Sequence, residues 1–167
     1  MSPVATDRRR FELHLIKPSH YDDDGYVIQW MKSWIPSNSL ASVYGIARQT
    51  AARNVLGDDV DIAVHAYDES NVVVPCTEII RRIHRAERTG GGGLVCLVGV
   101  QTNQFPRAVD LARQFRAEDV SVAVGGFHVS GCLSMLPEVP LDIAEAQAMG
   151  VSLFAGEAEG RLDAVLH

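Results

Sequence analysis

Apolar positions along this chain follow two alternating rhythms. The runs FELHLI (11–16), VDIAVHAY (60–67), LVCLVGV (94–100) and VSVAV (120–124) have the length and branched content of strands. Between them, apolar residues return every three or four positions, as on one face of a helix. The first strand candidate ends at Lys17 and Pro18, because proline offers no ladder donor and biases the residue before it away from helix. Residues 19–34, SHYDDDGYVIQWMKSW, keep no clean period and are expected to form a long loop with at most one helical turn, carrying Trp30 and Trp34.

The helical stretches have recognisable starts and stops. Leu40, Val43, Tyr44, Ala47 and Ala51 share one stripe, whose beginning is marked by Pro36, Ser37 and Asn38 and whose end by Gly57. Pro75 opens a second helix with Ile79, Ile80, Ile83 and Ala86 inward. The run TGGGG (89–93) stops it and is expected to be a flexible connector, since it follows a helix and precedes a strand, the reverse of a dinucleotide fingerprint. A third helix begins near Pro106 with Ala108, Leu111, Ala112 and Phe115 on one side. LDIAEAQAMG (141–150) reads as a short helix, and VSLFAGEAEG (151–160) as a last strand and turn.

Five strands alternating with four helical patterns predict a parallel sheet with right-handed crossovers. The uninterrupted apolar character of 94–100 fits a central strand covered on both faces. The expected fold is therefore a flavodoxin-like, doubly wound α/β sandwich: a five-stranded parallel sheet of order 2-1-3-4-5, in one domain over 1–167 with its core in 10–160.

Composition narrows the chemistry. With 47% hydrophobic and 22% charged residues, 167 residues suffice for one ordinary core. No apolar run approaches the roughly 20 residues that cross a bilayer, and the start lacks the apolar stretch of a secretory signal, so no membrane partner and a cytoplasmic location are expected. A net charge of -6 gives no basic footprint for nucleic acid, and RRIHR (81–85) reads as a solvated helix face. Cys76, Cys96 and Cys132 form no CxxC pair and are read as packed, reduced thiols rather than metal ligands.

Ligands of such sheets sit outside the carboxyl ends of the strands, near the point where strand order reverses. That rule selects Lys17, Pro18, Ser19 and His20 after the first strand, Gly99, Gln101, Thr102 and Asn103 after the third, Gly125, Gly126, Phe127 and His128 after the fourth, and Gly156 with Glu157 after the fifth. Glycines and neutral polar groups there suit binding, because a ligand can approach bare backbone. No nucleophile stands beside a base, so no catalytic residue is assigned. Asp22, Asp23 and Asp24 are read as solvated, and no metal site is expected. A phospho-receiver, a dinucleotide fold and a flavodoxin would each need other residues after the first strand than Lys17 to His20.

Lys17-Pro18, VGVQTNQ (98–104), VGGFH (124–128) and AGEAEG (155–160) together resemble the amino-terminal cobalamin-binding-type domain of radical SAM enzymes. The resemblance covers most of the chain. It implies a corrin ring across the carboxyl edge of the sheet, with the nucleotide tail descending beside the third and fourth strand loops. On that view Gly125 and Gly126 keep the wall low for the tail, while Gln101, Thr102 and Asn103 face it. Cofactor contacts would come from Lys17, Pro18, Gln101, Thr102, Asn103, Gly125, Gly126, Phe127, His128, Gly156 and Glu157.

Two departures shape the expectation. The DxHxxG motif that ligates cobalt in mutase and methionine synthase relatives is absent, so cobalamin would be held without that histidine. The CxxxCxxC triad is also absent, which leaves the iron-sulfur cluster and S-adenosylmethionine to a catalytic barrel outside this chain, joined in cis or acting in trans. The alternative is a cofactor-free module that positions a substrate or partner, with Trp30 and Trp34 as contacts and the acidic loop obstructing the crevice.

Overall fold

The structure is a computed structural model and describes residues 8–30 and 37–167; Trp34 and Pro36 lie outside the described residues. Five strands, β1 (Arg9–Lys17), β2 (Val60–Asp68), β3 (Gly92–Leu97), β4 (Val122–Gly125) and β5 (Ser152–Phe154), form one sheet of order β2-β1-β3-β4-β5. Every pairing is parallel, as the alternation of strands and helices predicts. The flavodoxin-like arrangement is present.

Among the described residues, six α-helices connect or follow the strands: α1 (Asn38–Ala52), α2 (Cys76–Arg88), α3 (Phe105–Arg116), α4 (Phe127–Met135), α5 (Leu141–Ala148) and α6 (Leu162–Leu166). Side chains alternate across β1, so Leu13 and Leu15 meet Leu40 and Ala47 of α1 and Leu162 and Leu166 of α6. Ile16 points the other way, into Ile79 and Ile83 of α2 and the cluster built by Leu111 and Phe115 of α3 and Ile143 of α5. Ser37 caps α1 by accepting a hydrogen bond from the Leu40 amide at 3.3 Å.

The glycine run behaves differently from a flexible connector. Gly92 and Gly93 are the first two residues of β3, in register with Phe11 and Glu12 of β1. A Cβ on Gly91 would lie 1.8 Å from the Arg10 carbonyl oxygen, and one on Gly93 would lie 2.6 Å from Ile83 Cγ1. Gly91 and Gly93 are there because the backbone of β1 and the helix α2 approach too closely for a side chain. α4 is a second departure: FHVSGCLSM forms a helix directly after Gly126, a stretch covered by none of the four helical patterns in the sequence.

The loop after β1 is held down within its described part. Asp22 accepts hydrogen bonds from the Asp24 and Tyr26 amides at 3.0 and 2.8 Å, and a bridge joins Tyr21 to Val27, with no helical turn among residues 20–30. Ser19 donates to the Ile28 carbonyl at 2.5 Å, while its amide donates to Glu69 at 3.0 Å. Glu69, 1% exposed, is gripped by Arg107 of α3 through Nη2 at 2.6 Å. These bonds seat the acidic loop over the β2 and α3 side of the sheet. Among the described residues no helix is long and apolar enough to cross a membrane.

Candidate functional site

A slot of about 540 Å³ opens at the carboxyl edge of the sheet, between α1 and α6 on one side and the ends of β3, β4 and β5 on the other. Its interior is apolar, with Val43 and Ile46 of α1, Cys96 and Ala123 of the sheet, and Leu162 and Val165 of α6. Burial pushes the Cys96 thiol up to about 12, so it serves as a small apolar wall rather than a nucleophile. Polar groups gather at the mouth: Asn38, Ser42, Gln101, Ser130, Glu157 and Glu159. Slots of this size, apolar inside with a few polar groups at the opening, are the usual form of small-molecule sites.

Six of the eleven residues expected to contact a cofactor line the slot, Gln101, Gly125, Gly126, Phe127, Gly156 and Glu157, and Gly99 just after β3 lines it as well. Phe127 stands at the rim, 74% exposed. The Gly156 amide donates to Ser130 Oγ at 3.0 Å, which ties the turn after β5 to α4.

The other five lie outside its lining, and the bonds they make explain where they sit. Lys17 is a buried strut whose ammonium donates to the Gly99 carbonyl and, at 2.5 Å, to Gln104 Oε1. Burial draws its pKa below the ordinary lysine value, with the Asp68 carboxylate opposing that shift. Gln104 also accepts from the Gln101 amide at 3.1 Å, so this side chain, absent from the sequence-based set, holds the β3 turn in shape. Pro18 is buried beside Lys17. Thr102 and Asn103 form the short 3-10 turn that leads into α3. His128 leans away from the slot, with Nδ1 3.3 Å from Thr102 Oγ1, Nε2 3.1 Å from Asp142 Oδ2 and its ring packed on Phe105.

The two glycines after β4 do different jobs. Gly125 faces Phe154 and borders the slot; an added Cβ would come within 3.4 Å of Phe154 Cβ. Gly126 has φ +142°, and an added Cβ would lie 2.1 Å from the Val100 amide nitrogen. The glycine at 126 is therefore required by the chain's own backbone, independently of any ligand. Gly99 is similar: an added Cβ would meet Ser39 at 2.6 Å.

None of the acidic loop's described residues lines the slot. The side chains that sequence reasoning missed, Val43, Ile46, Leu162 and Val165, carry only an ordinary amphipathic signal; their role comes from where α1 and α6 stand over the sheet edge. No protein-family model matches the chain, and no curated protein or solved structure gives a significant match.

Proposed function

We propose that this chain is a cofactor-binding accessory domain that takes cobalamin at the carboxyl edge of its sheet, the tail entering the slot between α1, α6 and β3–β5. The observation that carries the reading is the slot itself: an apolar cleft of about 540 Å³, open at the carboxyl ends of β3, β4 and β5 and bordered by bare backbone at Gly125. Val43, Ile46, Cys96 and Val165 suit an apolar ring system, and Gln101, Ser42 and Ser130 suit the amides and phosphate of a linker. When bound, cobalamin would supply organocobalt chemistry to a catalytic partner. The protein's own part is to bind and orient it, without a histidine of the DxHxxG kind.

A second reading, a cofactor-free module that docks a catalytic barrel, draws on an exposed apolar stretch. Phe127, Met135 and Leu141 are 74, 79 and 75% exposed along α4 and the start of α5.

Mixing the protein with hydroxocobalamin or methylcobalamin, desalting it and recording the corrin absorbance separates the two. Retained colour that is lost in Ser42→Trp, a replacement at the slot mouth on an exposed helix face, supports cofactor binding. Absence of retained colour in the unaltered protein overturns it and leaves the docking module.

A further inference from the structure

On the opposite face of the sheet, the strand register brings three ligating side chains together. β1 and β2 pair so that His14 lies directly beside His65, with Glu12 two residues back on the same face of β1. Glu12 Oε2 is 2.8 Å from His65 Nε2 and 3.5 Å from His14 Nε2, and one ligand atom from each residue falls within 4.8 Å of the others. Glu12 and His14 are buried.

His14 is the observation that points to a ligand. Its side chain is fully buried, yet neither ring nitrogen finds a hydrogen-bond partner among the described residues. Buried imidazoles without partners are uncommon, because each unmet nitrogen has lost its water for nothing. The carboxylate beside it is already oriented: Arg10 Nε donates to Glu12 Oε1 at 2.6 Å, which leaves Oε2 turned toward the two rings. A carboxylate fixed in this way by a neighbour is typical of metal sites.

We propose that Glu12, His14 and His65 bind a divalent transition-metal ion of the zinc class, which clamps the edge strand β2 to β1 beneath α2. Two imidazoles and one carboxylate are a common zinc set, with a fourth position left for water. Ligand atoms around a tetrahedral ion with bonds of about 2.0–2.1 Å stand about 3.3 Å apart, close to the 3.5 Å between Glu12 and His14. The rings are stacked, with centroids 4.6 Å apart, so sharing one ion requires a ring to turn about its Cβ–Cγ bond. That torsion is soft for histidine, and His65, with 24% of its side chain exposed, has the room. The site is separate from the slot, which lies on the α1 and α6 side.

The test is zinc binding to the chelator-stripped full chain, followed by competition with a chromophoric chelator and by thermal unfolding with and without zinc. The expected result is one ion per chain and a zinc-dependent rise in Tm, both weakened about tenfold or more in affinity by Glu12→Gln and by His65→Gln. His65→Gln alters a partly exposed edge position, so its zinc-free circular dichroism and Tm report directly whether the fold is kept. His84→Gln and His128→Gln should leave the affinity unchanged. Failure of the unaltered chain to take up zinc overturns the proposal. So does uptake that survives both Glu12→Gln and His65→Gln, or that is lost only with His128→Gln.

Discussion

Gly126 and Val100 are locked against each other: a single added carbon at 126 would stand 2.1 Å from the Val100 nitrogen. Two backbone hydrogen bonds hold this junction, Val100 N to Gly125 O at 3.0 Å and His128 N to Val100 O at 3.1 Å. They stitch the turn after β3 to the start of α4, and so set the slot's rim.

Gly126→Ala should therefore destabilise the protein whether or not a cofactor is present, by about 3 kcal/mol from the combined clash and unfavourable φ. Gly125→Ala, where the nearest atoms are 3.4 Å away and φ is not positive, should cost less than about 1 kcal/mol. Urea unfolding of the two variants checks this. Equal stabilities would mean that the junction yields and that the glycine at 126 has another purpose.

Gly93 and Ile83 make a second close pair, this time between β3 and α2. The Cβ of Gly93→Ala would press on Ile83 Cγ1 at 2.6 Å and Cγ2 at 2.9 Å, an overpacking that should cost about 2 kcal/mol. Ile83→Ala removes those atoms at its own cost of about 3 kcal/mol. The double variant should be less destabilised than the sum of the two, by about 1 kcal/mol, because the alanine methyl then fills part of the void. Strict additivity would show that the helix does not bear on the strand here.

That pair also shows where the sequence stops being informative. The strand order was legible because the apolar runs at 94–100 and 120–124 alternate with stretches of helical period, and few topologies satisfy that alternation. TGGGG was not, since glycines required by a close approach and glycines that confer flexibility are spelled alike; only the distance to Ile83 separates them. α4 was hidden for a related reason: FHVSGCLSM has no strong polar face and contains a glycine. Half of the slot's rim was readable from the strand ends, whereas its walls depend on how α1 and α6 lie across the sheet. The meeting of His14 with His65 needed the β1–β2 register, which joins residues far apart in the chain.

Acid should act on the metal-free protein through His14. Burial, and after it the neighbouring His65, lower its pKa from 6.5 to about 4, with Glu12 opposing and Arg82 of α2 adding to the fall; Tyr67 of β2 stacks on the same ring. Above the unfolded value the ring is neutral in both states. Between 6.5 and about 4 the unfolded chain takes up a proton that the folded chain refuses, so stability falls as pH falls through that window. The full loss is about 3 kcal/mol, at about 1.4 kcal/mol for each pH unit. Glu12 acts over a different range: burial works against its carboxylate, but Arg10 and His65 outweigh it and hold its pKa below 4.5, so its contribution is kept above 4.5 and lost as pH falls below that value. Urea titrations in the presence of a chelator should show this decline in the unaltered protein and a much flatter profile in His14→Phe over the same range. Parallel profiles would mean that the buried ring accepts its proton freely, and that the space around it is wetter than its complete burial indicates.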